Sequence, residues 1–204
     1  MYIKFIFLII TVFTFSTVNA NISTSPNETK KQKSNISFRE YIWGITHPFI
    51  ALKVKRISHK ALHITDSLEN AKILSDKSGG QLDAFKHSYW MASLTQEIKV
   101  HKARRIGIIH EKVNYKSYKR GKSNQDSTAS AMDILNNEVG ISIGSIYKTV
   151  SKIELISITI DAIENGKMYI LKKDENGNYL DCDDKIINLS KESGWNKRKC
   201  LIGS

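Results

Sequence analysis

Hydrophobic positions recur with a helical period along most of the chain beyond residue 36. Residues 81–99 are apolar on nearly every face, which is typical of a central, buried helix. Residues 102–113 and 127–139 repeat apolar positions at the spacing of an amphipathic helix. The pattern therefore predicts a mainly α fold, a compact multi-helix bundle built around residues 81–99.

Local signals predict where two early helices begin. Ser37 and Glu40 form a capping box, which predicts a short helix running to about Ile45. Pro48 suits the first turn of a second helix, because a proline there gives up no intrahelical hydrogen bond. We expect one apolar stripe on this second helix, made of Phe49, Leu52, Ile57 and Ala61.

The last third of the chain carries a further helix and a hairpin signal. Ser151 and Glu154 form a second capping box, and Asn165-Gly166 is a good helix stop. Asn176-Gly177 lies between the apolar segments 168–171 and 179–180, which predicts a small C-terminal β-hairpin followed by a polar tail.

One internal segment is predicted as a loop. Residues 114–125 are polar and strongly basic, so we expect them to connect two helices. They could hold an anionic substrate over a nearby site, or they could be a solvated loop. The basic residues are Lys116, Lys119, Arg120 and Lys122.

The first 20 residues have the features of a cleavable secretory signal. Lys4 gives a positive start, and an almost wholly apolar run follows from Phe5 to Phe15. That run is short for a membrane anchor, the alternative, because a span takes about 20 apolar residues. We predict a signal peptide over 1–20, a flexible leader over 21–36 and a single mainly helical domain over 37–204.

The predicted export and the basic composition lead to expectations about the redox compartment and the partners of the protein. Export to the periplasm or the exterior predicts a disulfide between Cys182 and Cys200. The formal net charge is +11, which favours anionic substrates or surfaces, although scattered lysines are also typical of a solvated face. The sequence has no nucleic-acid-binding motif and no transmembrane segment after signal cleavage, and it predicts no oligomeric state.

Three predicted helices bring polar residues into apolar surroundings. Burying an unpaired carboxylate or imidazole costs several kcal/mol, so such groups must satisfy one another or bind something. Facing helices that supply histidines and carboxylates are one way in which bundles build metal sites. The residues are Asp83 and His87 on the first helix, His110 and Glu111 on the second, and Asp133, Asn136 and Asn137 on the third.

We expect either a divalent metal site or a hydrogen-bonded network that fixes helix register. For a metal, the predicted ligands are His87, His110 and Asp133, and Zn²⁺ or another divalent ion would suit them. The same three side chains are candidate acid or base groups. Glu111 is the predicted general base or a further ligand. The predicted orienting and binding residues are Asp83, Trp90, Asn136 and Asn137.

Three motifs resemble those of an uncharacterised domain family of bacterial secreted and toxin-like proteins. Residues 83–90 resemble its Asp-Ala-Phe-Arg-His-Ala-Tyr-Trp motif, with Lys86 in place of Arg and Ser88 in place of Ala. Residues 109–111 resemble its Ala-His-Glu, and residues 132–140 its Met-Asp-x-x-Asn-Asn-x-x-Gly. The likeness covers about residues 47–170 and implies a shared site without naming its chemistry.

These observations lead to one main functional expectation. The protein is predicted to be an exported, metal-assisted hydrolase acting on an anionic envelope component, a phospholipid or a wall polymer. The first alternative is a non-catalytic module that binds an envelope or host surface. The second is a toxin-like secreted effector.

Overall fold

The described part of the chain forms five α-helices whose ends are both defined, followed by one two-stranded antiparallel sheet. The computed structural model describes residues 42, 44–192 and 194–204, so the predicted signal peptide, leader and first capping box lie outside the described residues. The helices are α1 (Pro48–Asn70), α2 (Gln81–Glu97), α3 (Val100–Lys119), α4 (Ser127–Ile146) and α5 (Lys152–Glu164). The strands are β1 (Tyr169–Leu171) and β2 (Leu201–Gly203).

Helix α2 is the central element, and the predicted mainly α fold is confirmed. It packs against the other four helices and against β1. Leu82, Phe85, Met91 and Leu94 are fully buried and lie on several faces of the helix, which explains why its sequence lacks a polar stripe. No helix within the described ranges combines the length and the apolarity needed to cross a bilayer.

Helix α1 begins at Pro48, as predicted, but its apolar stripe is displaced from the predicted one. Phe49 and Leu52 are exposed, whereas Ile57 and Ala61 are buried in the core. The buried stripe continues toward the N-terminus of α1 through Val54 and Ile50, which are partly buried. This spacing of three and four residues keeps one helical face inward, and Phe49 and Leu52 lie off that face.

The first half of the predicted basic loop is helical, so the prediction was wrong for residues 114–119, whereas residues 120–125 lie outside any helix. Helix α3 continues to Lys119, because Tyr115 and Tyr118 pack against Trp195, with ring centroids 4.8 and 4.9 Å from the indole. Lys116 also lies in the last turn, where cations interact favourably with the helix dipole. Trp195 is distant in sequence, so residues 114–125 alone carry no sign of this packing.

The C-terminal hairpin is present, with a different strand pairing. A turn forms at Asn176-Gly177 and an isolated bridge joins Lys173 to Tyr179, but β1 pairs with β2. The predicted disulfide is confirmed between Cys182 and Cys200, whose Cα atoms are 4.8 Å apart. Because the disulfide fixes Cys200 directly before β2, the end of the chain lies beside β1.

Helix α5 has the predicted boundaries. The Ser151 side chain accepts a hydrogen bond from the Glu154 backbone N–H, and the Glu154 carboxylate accepts one from the Ser151 N–H. Gly166 follows the helix with a φ of 68°, a left-handed conformation that glycine adopts without steric cost.

Candidate functional site

A close contact between α2 and α4 sets the geometry of the site. A Cβ atom on Gly140 would lie 2.2 Å from the backbone oxygen of Ser88, and one on Gly144 would lie 2.3 Å from that of Ala92. Only glycine allows the two backbones to approach so closely. Asp133 lies seven residues before Gly140, on the same helical face, so the contact presents Asp133 to α2.

Two carboxylates converge on the His87 imidazole. Its Nε2 atom is 3.3 Å from Oδ1 of Asp133 and 3.7 Å from Oδ1 of Asp83, which lies one turn earlier on α2. His87 and Asp133 are 3% and 4% exposed, and Asp83 is half-buried. These three residues offer one ligand atom each, all within 4.8 Å of one another.

Both carboxylates are fixed in place by neighbouring groups that contact their oxygen atoms. Oδ2 of Asp83 accepts a hydrogen bond from the Gly79 N–H at 2.9 Å, and the Lys86 ammonium contacts Oδ1. Oδ2 of Asp133 accepts a bond from Nε2 of Gln125 at 2.8 Å. Oδ1 of Asp133 is buried and makes no hydrogen bond to any described group. One carboxylate oxygen therefore faces His87 without a hydrogen-bond partner.

Glu111 brings a third buried carboxyl group from α3. Its Oε2 accepts a hydrogen bond from the Ser130 hydroxyl at 2.8 Å, and its Oε1 accepts one from Nδ2 of Asn114 at 3.3 Å. Glu111 is 5% exposed. It stands outside the group of mutually close ligand atoms, but its charge acts on Asp133.

The buried carboxyl groups resist ionisation. Burial, together with the neighbouring charges of Asp83 and Glu111, raises the pKa of Asp133 to about 8. Burial also raises the pKa of Glu111, against hydrogen bonds from two neutral side chains that lower it. Several like charges in a dry environment are unfavourable unless protons or a cation compensate them.

The imidazole is kept neutral. Burial lowers the pKa of His87 well below its usual value, and the positive charges of Lys86 and His110 add to that effect. The Asn137 side chain acts weakly in the opposite direction, although Nδ1 of His87 and Oδ1 of Asn137 are not joined by a hydrogen bond of ordinary geometry. A neutral imidazole is the form that ligates metals.

His110 lies beside this cluster, apart from the ligand atoms. Its ring centroid is 6.2 Å from that of His87 and 5.5 Å from that of Trp90, which it meets edge-on. The Trp90 indole N–H donates to the Ser58 hydroxyl at 2.9 Å and so connects α2 with α1. Of the three predicted ligands, the structure brings His87 and Asp133 together and adds Asp83 in the place expected for His110.

The two predicted asparagines have different surroundings. Asn136 is fully buried, and its amide exchanges two hydrogen bonds with the backbone of Tyr169, at 2.8 and 2.9 Å. It therefore holds β1 against α4. Asn137, the next residue on α4, instead has its side chain near His87.

A sequence model of one protein family matches residues 41–167, which is more than half of the chain. That family is described as a domain of unknown function, DUF6973. The chain belongs to this family. No curated protein and no solved structure matches the chain. The matched range contains every candidate site residue, so the site belongs to the DUF6973 domain itself.

Three residues of the site in this DUF6973 domain were missed by sequence reasoning. Ser130 lies three residues before Asp133, and Asn114 lies three residues after Glu111, so both share a helical face with a predicted site residue. This three-residue spacing would have indicated both residues as neighbours of the site. Gln125 is eight residues from Asp133, outside α4, and no local pattern indicates its contact.

Proposed function

We propose that Asp83, His87 and Asp133 bind a divalent cation such as Zn²⁺ and that the protein is a metal-dependent hydrolase. The observation that carries the proposal is the buried Oδ1 of Asp133, which faces Nε2 of His87 at 3.3 Å without a hydrogen bond. Ligands about 2.0–2.2 Å from a tetrahedral Zn²⁺ are about 3.3–3.6 Å apart. The separation from Nε2 of His87 to Asp133, 3.3 Å, lies in that range, and the separation to Asp83, 3.7 Å, lies just above it.

A cation would also satisfy the electrostatics of the cluster. Asp83, Glu111 and Asp133 are three acidic groups in a mostly buried region. Lys86 contacts Asp83 and acts on the other two carboxyl groups only through its charge. A divalent ion would let the carboxylates ionise by offsetting their mutual repulsion. Oδ1 of Asp133 makes no hydrogen bond to any described group, and a bound cation would give this oxygen a partner.

Three protein ligands leave a fourth position for water, which is the usual arrangement of a catalytic zinc site. When bound, the ion would lower the pKa of that water and polarise the substrate. Glu111 would act as the general base, because a carboxyl group of raised pKa is suited to proton transfer near neutral pH. His110 would lie at the edge of the reaction site, against Trp90.

The substrate we propose is an anionic envelope component, a phospholipid or a wall polymer. The net charge of +11 supports this choice, as do the basic residues Lys116, Lys119, Arg120 and Lys122 near the end of α3. The signal-like residues 1–20 and the Cys182–Cys200 disulfide support a periplasmic or secreted protein. The resemblance to bacterial secreted proteins supports the same location.

A second candidate is a non-catalytic binding module in which the cation only fixes the helices. The burial of His87, Glu111 and Asp133 favours it, because a substrate needs access to a catalytic ion. The same metal would then stabilise the fold without turnover.

One experiment separates the two candidates. The mature protein, loaded with Zn²⁺ or Mn²⁺, is assayed on phosphatidylglycerol vesicles and on anionic wall polymer, together with the Glu111→Gln variant and the surface control Glu164→Gln. We expect Glu111→Gln to keep its metal and lose about 100-fold or more in turnover, while Glu164→Gln stays active. Metal binding without hydrolysis of either substrate would favour the binding module. Absence of metal binding would refute the proposed site.

A further inference from the structure

A cavity lies between α1, α2 and α5, away from the candidate metal site. It has a volume of about 310 Å³, at the small end of the range for ligand pockets. Its apolar wall includes Ile57, Ile64, Tyr89 and Ile156. None of the three proposed metal ligands lines it, so an inference about this cavity does not depend on the proposed function.

The cavity has a positive rim. Lys60 and Lys152 line it together with Glu97, and Arg56 pairs with that glutamate. Lys152 also donates to Oε1 of Gln96 at 2.6 Å and lies 4.0 Å from Glu97. Arg56 and Lys152 are thus within ion-pair distance of Glu97, and Lys60 lines the same cavity. With three cations and one carboxylate, the rim keeps an excess positive charge.

The electrostatics of Lys152 agree with an excess of positive charge. Partial burial lowers the pKa of Lys152, and Arg56 and Lys60 lower it further, while Glu97 raises it. An anion at the rim would relieve the repulsion among these cations.

A buried hydroxyl on the wall lacks a partner. Ser93 is 2% exposed and lines the cavity, and its Oγ makes no hydrogen bond to any described group. Ser88 on the same helix instead donates to the Ala84 backbone oxygen at 2.6 Å. Burial raises the pKa of Tyr89 and Ser93 acts in the opposite direction, but the two hydroxyls are not joined by a hydrogen bond of ordinary geometry. Ser93 is thus a donor available to a bound molecule.

Helical spacing orders these features along the cavity. Tyr89, Ser93 and Glu97 are four residues apart and share one face of α2. Glu97 is about 12 Å from Tyr89 along the helix axis. The charged rim is therefore at the C-terminal end of α2, the apolar residues are toward Tyr89, and the Ser93 hydroxyl lies between them.

We propose that this cavity binds a small amphipathic anion, a single acyl chain with a carboxylate or phosphate head group. The chain would pack against Ile64, Tyr89 and Ile156. The head group would lie at Lys60 and Lys152 and accept a hydrogen bond from the Ser93 hydroxyl. Apolar walls with a few placed polar groups are the usual composition of such pockets.

Calorimetric titration of the mature protein tests this assignment. The probes are sodium decanoate below its micellar concentration, decanoyl lysophosphatidylglycerol, and decyltrimethylammonium, which has a similar tail and the opposite charge. We expect both anions to bind and the cation to bind at least about tenfold more weakly. Tighter binding of decanoate assigns the head group to a carboxylate, and tighter binding of the lysolipid assigns it to a phosphate; both results support an amphipathic anion.

Three variants make the test specific to the cavity. Lys60→Glu should weaken anion binding by about tenfold or more, and Ser93→Ala should weaken it by about threefold to tenfold. Lys53→Glu makes the same charge change at an exposed position of α1 that does not line the cavity, and it should bind like the unmodified protein. Equal binding of the cationic probe, equal effects of Lys60→Glu and Lys53→Glu, or no binding of either anion would overturn the proposal.

Discussion

His87 on α2 and Asp133 on α4 face each other at 3.3 Å between Nε2 and Oδ1, and no hydrogen bond joins these two buried atoms. The contact exists because Gly140 lets the two helices approach closely. Asp83 adds a second carboxylate to the same imidazole. The central claim of the proposed function is that a divalent cation binds between these three side chains.

Thermal unfolding with and without metal distinguishes the two histidines. Adding Zn²⁺ to chelated protein should raise the melting temperature, because a ligand at 100 times its Kd stabilises the folded state by about 2.7 kcal/mol. His87→Ala should abolish this rise. His110→Ala should retain most of it, since His110 lies beside the cluster against Trp90. The reverse pattern would restore His110 as the ligand and exclude His87.

The stability of the chelated protein should fall as the pH rises from about 6.5 to about 8. The pKa of Asp133 is raised to about 8 by burial, so its contribution is present at low pH and is lost as the pH rises through that value. The pKa of Glu111 is also raised by burial, so its contribution has the same sign at pH values above the ordinary pKa of a glutamate. The pKa of His87 is lowered, so this residue reduces stability only below about pH 6.5.

The expected slope is up to about 1.4 kcal/mol per pH unit, the value for one proton. Denaturant unfolding at several pH values measures it. Asp133→Asn should flatten the dependence in this window, because asparagine does not titrate. A profile that rises with pH, or an unchanged slope in the variant, would mean that Asp133 ionises normally in the folded protein.

Local signals were sufficient for much of the fold. The Ser151–Glu154 capping box, the start of α1 at Pro48 and the burial of α2 each depend on residues close in sequence. The disulfide was predictable because two cysteines in an oxidising compartment usually pair. These features required no knowledge of which helix packs against which.

Other features depend on distant residues and could not be read from the sequence. The last turns of α3 are stabilised by Trp195, and the partner of β1 is the end of the chain. At the site, sequence patterns indicated polar residues on three helices that lie near one another in the structure, but not their relative positions. They also did not indicate the contacts of Asn114, Gln125 and Ser130. The rotation of α3 places Glu111 and His110 beside the cluster, and only the packed helices reveal that Asp83 is the closer neighbour of His87.

Gly140→Ala should weaken the fold and the site together. Alanine normally favours a helix over glycine by up to about 1 kcal/mol. Here its Cβ would meet the Ser88 backbone oxygen, and overpacking of this kind costs about 1–3 kcal/mol. We expect a lower free energy of unfolding and weaker metal binding, measured by denaturant titration with and without Zn²⁺.

Ser142→Ala, at an exposed position on the same helix, is the matched control for that substitution. It should change stability by no more than about 0.5 kcal/mol and leave metal binding intact. If Gly140→Ala is as stable as the unmodified protein and binds metal equally well, close contact between α2 and α4 does not position Asp133.

The metal content of the purified protein is the most direct test of a cation site formed by Asp83, His87 and Asp133. The protein is purified from an oxidising compartment without chelators or affinity metals, and its metals are quantified by plasma mass spectrometry alongside Asp133→Asn and His87→Ala. We expect about one divalent ion per folded chain and its loss in both variants. Less than about a tenth of an ion per chain, with no uptake of micromolar Zn²⁺ or Mn²⁺ by the folded protein, would contradict it.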